Sequence, residues 1–229
     1  MAHKRVTIGY LLETSQLMFQ NAKEDEEINT LLATFKVDEQ QYEFGLSLCR
    51  KTFKLENLQI KLHGQQFRSR KKFEKIYNAA NEIYQLHLKF LRISFEKDKD
   101  KLKELSAFGK RPRSIADWIK QAFAFYQTTA SDEEAMAALD SFGITAEMFM
   151  QNESKIMEVD AAYRAHKIKL GAAQNAVEER NAVIKELDTY AKRFRAICRT
   201  ALKAHPQLLE KLGIKVYSKG YKKRKRKKG

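Results

Sequence analysis

The chain has 229 residues and a formal net charge of +15, from 44 Lys and Arg against 29 Asp and Glu, and 43% of it is hydrophobic. That length and apolar content suffice for a packed core, in one large domain or two small ones. Only two cysteines occur, Cys49 and Cys198, in no metal-ligand spacing, which argues against a secreted disulfide framework, and the lack of any run of 18 apolar residues argues against a membrane-spanning helix.

The opening stretch, MAHKRVTIGYLLETSQLMF, lacks the apolar run of a signal peptide, so a cytoplasmic location is expected. Nine glycines, two prolines and no sustained β-branched alternation predict an all-α chain. The first helix is placed at about Ile8 to Gln20. A short helix follows in DEEINTLLATF, Asp25 to Phe35, where the acids suit the positive helix N-terminus and the Leu and Phe residues form a buried face. From Asp38 to Glu96 a seven-residue stride picks out Leu46, Phe53, Ile60 and Phe67, then resumes three residues out of phase at Tyr77, Tyr84 and Leu91. A slip of that kind overwinds a coiled coil locally or marks a turn near His63 and Gly64. KLKELSAFGK then closes on Gly109.

The joint GKRPRS, Gly109 to Ser114, combines a helix-stopping glycine, a proline and an N-cap serine, with Asp117 at N3 of the next helix. The same order of pieces then returns. A helix at about Ile115 to Gln127 precedes DEEAMAALDSF, Asp132 to Phe142, with Ser131 and Glu134 read as its capping box and Gly143 after its end. From Thr145 to Ala204 the stride is unbroken: Ile156, Tyr163, Leu170, Val177, Ile184, Ala191 and Cys198, beside Val159, His166, Ala173, Arg180, Leu187, Phe194 and Ala201. It passes Gly171 without losing phase, which predicts one long helix rather than a hairpin. Pro206 breaks the chain into a last short helix, QLLEKL, ending at Gly213. Tyr42 matches Phe149 and Gly64 matches Gly171 at an offset of about 107 residues, the period of an internal repeat.

The fold expected is therefore an all-α, internally duplicated helical bundle with long coiled-coil-like helices of about 55 to 60 residues, roughly 85 Å each at 1.5 Å per residue. The alternative is two tandem four-helix bundles. The domain division is 1–110 for the first helical repeat, 111–218 for the second and 219–229 for a basic tail. A helix that long must lay its apolar seam against something, and the other repeat's long helix is the nearest partner.

Few chemical signatures are written in the chain. No two of His3, His63, His87, His166 and His205 stand three to five residues apart, so HExxH and the Glu-x-x-His pairs of di-iron bundles are absent. No Gly-rich phosphate loop or GxSxG elbow occurs. Cys49 and Cys198 fall on apolar helix positions and read as small core residues. Met148, Met150 and Met157 read as core filler, and Trp118 as a core anchor of the second repeat. No catalytic residue, metal ligand or cofactor is expected.

Basic charge is concentrated in the last eleven residues, KGYKKRKRKKG from Lys219, which hold eight cations and no acid; removing them from +15 leaves +7 for Met1 to Ser218. Lys222, Lys223, Arg224, Lys225, Arg226, Lys227 and Lys228 repel one another and bury nothing, so this segment is expected to be disordered and to bind polyanions, nucleic acid first. An anionic membrane or an import receptor would attract it as well. RSRKKFEK, with Arg68, Lys71, Lys72 and Lys75 on one face, has the neutral-to-acidic counterpart QNAVEERNAV and reads as a solvated face. The function expected is a non-enzymatic scaffold or adaptor with a polyanion-binding tail. Alternatives are a purely structural homo-oligomer joined through the long helices, and an enzyme or ligand-binding bundle with an unrecognised site.

Overall fold

In the computed structural model, which describes residues 7–216, the chain forms eight α-helices, and the described residues contain no strand. They are α1 (Ile8–Glu24), α2 (Glu26–Ala33), α3 (Glu39–Ser94), α4 (Lys99–Glu104), α5 (Ile115–Ala130), α6 (Glu133–Asp140), α7 (Ala146–Ala201) and α8 (Pro206–Lys211). The second four helices follow the first four at one constant offset, their first residues pairing as Ile8 with Ile115, Glu26 with Glu133, Glu39 with Ala146 and Lys99 with Pro206. α3 and α7 have 56 residues each and pass Gly64 and Gly171 without a break. Neither long segment turns back.

Local chemistry explains the helix ends. The Ser114 hydroxyl accepts from the Asp117 backbone N–H at 3.1 Å, as the GKRPRS joint predicts. The two DEE phrases supply the acidic first turns expected of them, Glu26 and Glu27 in α2 and Glu133 and Glu134 in α6, but of their Leu and Phe residues only Leu32 and Leu139 are buried, Phe35 and Phe142 being exposed. Asp25 and Asp132 are themselves the N-caps of α2 and α6, their carboxylates accepting from Ile28 N at 3.1 Å and Ala135 N at 2.9 Å. Ser131 is not the cap of α6. It ends α5, its hydroxyl donating to the Gln127 carbonyl at 3.1 Å, because the carboxylate that follows is an equally preferred cap and carries the charge that suits a helix N-terminus. Each capping Asp also takes a lysine from a short helix: Lys211 on Asp25 at 2.8 Å and Lys101 on Asp132 at 2.6 Å.

The chain folds into two compact units. Unit 1 takes the described residues up to Lys61 and from Gln174 onward; unit 2 is Leu62–Ala173. Each unit therefore draws on both halves of the sequence, and the joint at Gly109 to Ser114 lies inside unit 2. In unit 1, α1, α2 and α8 pack on the first part of α3 and the last part of α7 around Phe19, Tyr42, Leu187, Phe194 and Cys198. The Phe19 ring meets Phe194 edge-on at 5.1 Å. In unit 2, α4, α5 and α6 pack on the last part of α3 and the first part of α7 around Tyr84, Trp118, Phe125, Tyr126 and Phe149. Trp118 is the anchor expected of it, edge-on to Tyr77 at 4.7 Å and Tyr84 at 5.7 Å.

The two cores use matching positions. Leu11, Met18, Phe19, Leu32, Tyr42 and Cys49 are buried in unit 1, and their counterparts at the repeat offset, Trp118, Phe125, Tyr126, Leu139, Phe149 and Ile156, are buried in unit 2. Ala80, Tyr84, His87 and Leu91 of unit 2 correspond in the same way to Leu187, Ala191, Phe194 and Cys198 of unit 1. Within each unit α3 and α7 run antiparallel. In unit 1 the Tyr190 hydroxyl donates to the Gln41 carbonyl at 2.8 Å and Arg180 to Gln59 at 3.1 Å; in unit 2 Lys169 reaches Gln65 at 3.4 Å, and the rings of Tyr163 and Phe73 stand 5.5 Å apart.

Every member of the two α7 stripes is buried or half-buried. The α3 stripe is a correction. Phe53, Ile60 and Phe67 are 59%, 61% and 50% exposed, and the face turned inward carries Gly45, Thr52, Gln59, Gln66, Phe73, Ala80 and His87 instead. Tyr77, Tyr84 and Leu91 are buried or half-buried, but the same stride carried back toward Cys49 meets the exposed Arg70 and His63. Polar residues in the seam hid the inward face. Met148, Met150 and Met157 are also not core filler: all three are exposed, because α7 turns Phe149, Asn152, Ile156 and Val159 inward and leaves the methionines on its flanks.

Candidate functional site

Lys222 to Lys228, the polyanion-binding residues expected from the sequence, lie outside the described residues. Within 7–216 no group of three or more His, Cys, Asp and Glu residues is arranged to hold a metal ion, and no helix is long and apolar enough to cross a membrane.

The potential nucleophiles are placed for packing. Cys49 on α3 and Cys198 on α7 are both buried and unpaired in unit 1. Burial pushes their thiols up to about 11 and about 12, so both stay protonated at neutral pH. A protonated, enclosed thiol neither attacks nor binds metal well.

Unit 2 holds the one fully buried histidine of the described residues. His87 lies nearly parallel to Phe149 at 5.5 Å, and its Nδ1 is 3.3 Å from the Tyr126 hydroxyl. Burial, with a smaller contribution from Lys155, lowers His87 to about 4, so it is neutral at pH 7. The Tyr126 phenol is pushed up by the same burial. A neutral imidazole bonded to a protonated phenol, with no carboxylate among its hydrogen-bond partners, is a core polar pair rather than an acid–base device. His166 is half-buried on α7, its ring parallel to Phe73 at 6.1 Å.

Two grooves occupy matching places. One, of about 540 Å3 in unit 1, runs between α1 and α3 and is walled by Leu12, Leu46, Cys49 and Phe53, with Lys23, Glu43 and Arg50 along its rim. Lys23 bonds Glu43 at 2.7 Å and Arg50 bonds the same carboxylate at 3.2 Å, and the pairing holds the Glu43 carboxyl below its usual range. The other, of about 590 Å3 in unit 2, runs between α5 and α7 past Ile119, Phe123, Ile156, Met157 and Tyr163. Leu12 and Ile119 stand 107 residues apart, as do Cys49 and Ile156. No charged side chain is shared between the two walls, and neither groove assembles a nucleophile with a base.

Among the described residues, a stripe of basic side chains lies on α3 in unit 2. Arg68, Lys71, Lys72 and Lys75 are all exposed and follow the i, i+3, i+4, i+7 pattern that places side chains on one helical face. Gln65, one turn earlier on that face, receives Lys169 from α7 at 3.4 Å, which brings a fifth exposed cation alongside. None of the five has a described carboxylate within salt-bridge distance, whereas neighbouring Arg70 and Arg164 are paired with Glu74 and Asp160. The exposed Phe67 ring borders the stripe, with the Lys71 Nζ 4.7 Å from its centroid. Sequence reasoning found the four α3 cations but not Lys169, because only the antiparallel packing of α3 and α7 brings it near. No protein-family model, no curated protein and no solved structure matches the chain.

Proposed function

We propose that the chain is a non-enzymatic helical scaffold whose basic segment, Lys222 to Lys228, binds polyanions and nucleic acid in particular. The observation that carries this reading is the run of seven consecutive cations within eleven residues that hold no acid. Such a run gains nothing from folding and releases condensed counterions when it meets a phosphate polymer. The helical part supplies shape. We further propose that it arose by internal duplication and that α3 and α7 pair as a coiled-coil-like seam, supported by the constant spacing of helix starts and by the matching buried positions.

The test replaces all seven residues of the run by Gln in the full chain and measures binding to duplex DNA and RNA by fluorescence anisotropy across a salt series. Each phosphate neutralised on B-DNA contributes a slope of about −0.9 in log affinity against log salt. The unaltered run accounts for a slope of up to roughly −6, and the glutamine variant is expected to lose most of it with no change in thermal unfolding. An unaltered slope would refute the role of the run. A structural homo-oligomer is the second reading, favoured by Phe53 and Ile60, which α3 leaves exposed in unit 1. Light scattering that finds only monomer across the micromolar range removes it.

A further inference from the structure

We infer that the folded part of the chain carries its own nucleic-acid surface: the α3 stripe Arg68, Lys71, Lys72 and Lys75, extended by Lys169 of α7 and bordered by Phe67, tracks the phosphates of a single strand and stacks a base on the Phe67 ring. The inference extends the polyanion reading to a second site and shares its ligand class. It does not depend on the basic run.

Three observations carry it. The first is the lack of neutralisation. Five exposed cations stand on two packed helices without a described carboxylate partner, although carboxylates do pair with Arg70 and Arg164 a turn away. A face that served only solubility would gain from interspersed acids, which relieve like-charge repulsion at i+3 and i+4.

The second is contrast with the matching positions of unit 1. At the repeat offset Arg68, Lys71, Lys72 and Lys75 correspond to Asn175, Glu178, Glu179 and Ala182, and Phe67 to Gln174. The buried positions of the two units match, so packing alone does not require a cationic, aromatic face in one unit and an acidic one in the other. The difference lies on the outward side of α3, where all four cations and Phe67 are exposed. Helix stability does not explain it either, since Lys, Arg and Glu have similar helix propensity.

The third observation is the ring. Phe67 is 50% exposed and held beside an ammonium. Backbone-tracking cations next to a half-exposed aromatic ring are the two parts of a single-strand site: the cations give sequence-independent attraction, and the ring accepts any base. The four α3 cations span about 10 Å at 1.5 Å per residue, enough for a few nucleotides. An anionic membrane fits less well, because an interfacial helix needs a broad apolar face, and the surface offers only Phe67 on α3 between Leu62 and Lys75 and Ile168 beside Lys169 on α7 as large exposed apolar side chains.

The test uses full-length protein throughout. One variant carries Arg68→Gln, Lys71→Gln, Lys72→Gln and Lys75→Gln; a second carries Phe67→Ala; each is made with the basic run intact and with the run replaced by glutamine. All these positions are exposed and Gln is a good helix former, so circular dichroism should be unchanged. Anisotropy with oligo-dT and oligo-U is expected to show the salt slope of the stripe variant falling by roughly 3, at about 0.7 per cation for a single strand. Phe67→Ala should weaken single-strand binding about tenfold and duplex binding little. A slope and affinity unchanged by the four glutamines overturn the inference, whatever the basic run does. So does loss of binding to phosphatidylserine vesicles with single-strand binding intact. If replacing the run has no effect while the stripe variant loses its slope, the inference stands and the reading of the run falls.

Discussion

His87 and Tyr126 occupy in unit 2 the positions that Phe194 and Phe19 occupy in unit 1, each pair related by the repeat offset. The same slot between a long helix and a shorter one is filled by an aromatic pair in one unit and by a polar ring pair in the other. The polar version carries a cost that depends on pH. His87 is held at about 4 in the folded chain against 6.5 for an unperturbed imidazole, with burial as the main cause. Its folded value is depressed, so the unfolded chain binds the extra proton first, and stability is complete above about pH 6.5 and falls as the pH drops toward 4. Between pH 7 and pH 5 the loss should be about 2 kcal/mol. The double variant His87→Phe and Tyr126→Phe, which copies the unit 1 pair, is expected to fold and to flatten urea-unfolding stability over that range. An equally steep decline in the variant would place the acid sensitivity elsewhere. The five histidines are visible in the sequence, but nothing in the spacing of His87 distinguishes a buried residue from an exposed one. Its burial depends on Tyr126 and Phe149, 39 and more residues away.

The helix ends show how matching elements solve one problem with different residues. After α6 the chain turns through Gly143 at φ 78°, and after α8 through Gly213 at φ 68°. The corresponding positions after α2 and α4 are Lys36 at φ 59° and Ser106 at φ 53°, side chains held in the left-handed region that favours glycine. Lys36→Gly and Ser106→Gly should each stabilise by about 1 kcal/mol, seen as a higher urea midpoint. Glycine inside a helix is the reverse case. A Cβ added at Gly64 or Gly171 meets nothing within 4 Å, so Gly64→Ala and Gly171→Ala should also stabilise, by about 0.5 to 1 kcal/mol each. A loss of stability in either pair would show that those backbone positions answer to something other than local conformation. Much at this scale is legible in the sequence. Ser114, Gly143, Pro206 and Gly213 mark ends where the structure has them, and the α7 stride crosses Gly171 unbroken because its seam is nearly all apolar. The α3 seam is hidden because Gln59, Gln66 and Ser69 occupy half-buried positions while Phe53, Ile60 and Phe67 lie outside, so hydrophobicity points away from the packed face. Phe67, which periodicity assigns to the seam, instead borders the candidate nucleic-acid surface, whose fifth cation only tertiary packing supplies.

At the scale of the whole molecule, the compact units and the sequence halves divide the chain differently, and the difference is testable by cutting it. The segment Leu62–Ala173 is continuous and holds all of unit 2, including the buried Tyr84, Trp118, Phe125, Tyr126 and Phe149. Its helices close their hydrophobic faces on one another, which is what independent folding requires. A fragment of residues 62–173 should therefore be helical, monomeric and cooperative in thermal unfolding. Residues 1–110 keep α1 to α4 but lose α5 to α8, so Phe19 and Tyr42 are deprived of Phe194 on α7, and Tyr84 of Trp118 and Phe125 on α5. Residues 111–216 lose the complementary surfaces. Either half alone exposes the core residues that the other half covers, which should be concealed by self-association, because the missing half presents a buried pattern like its own. Size exclusion with light scattering should find each half as a dimer or larger species, and mixing the halves should restore a one-to-one complex with a sharp melting transition. A monomeric, cooperatively folded 1–110 fragment would show that the sequence repeat, rather than Leu62–Ala173, is the folding unit.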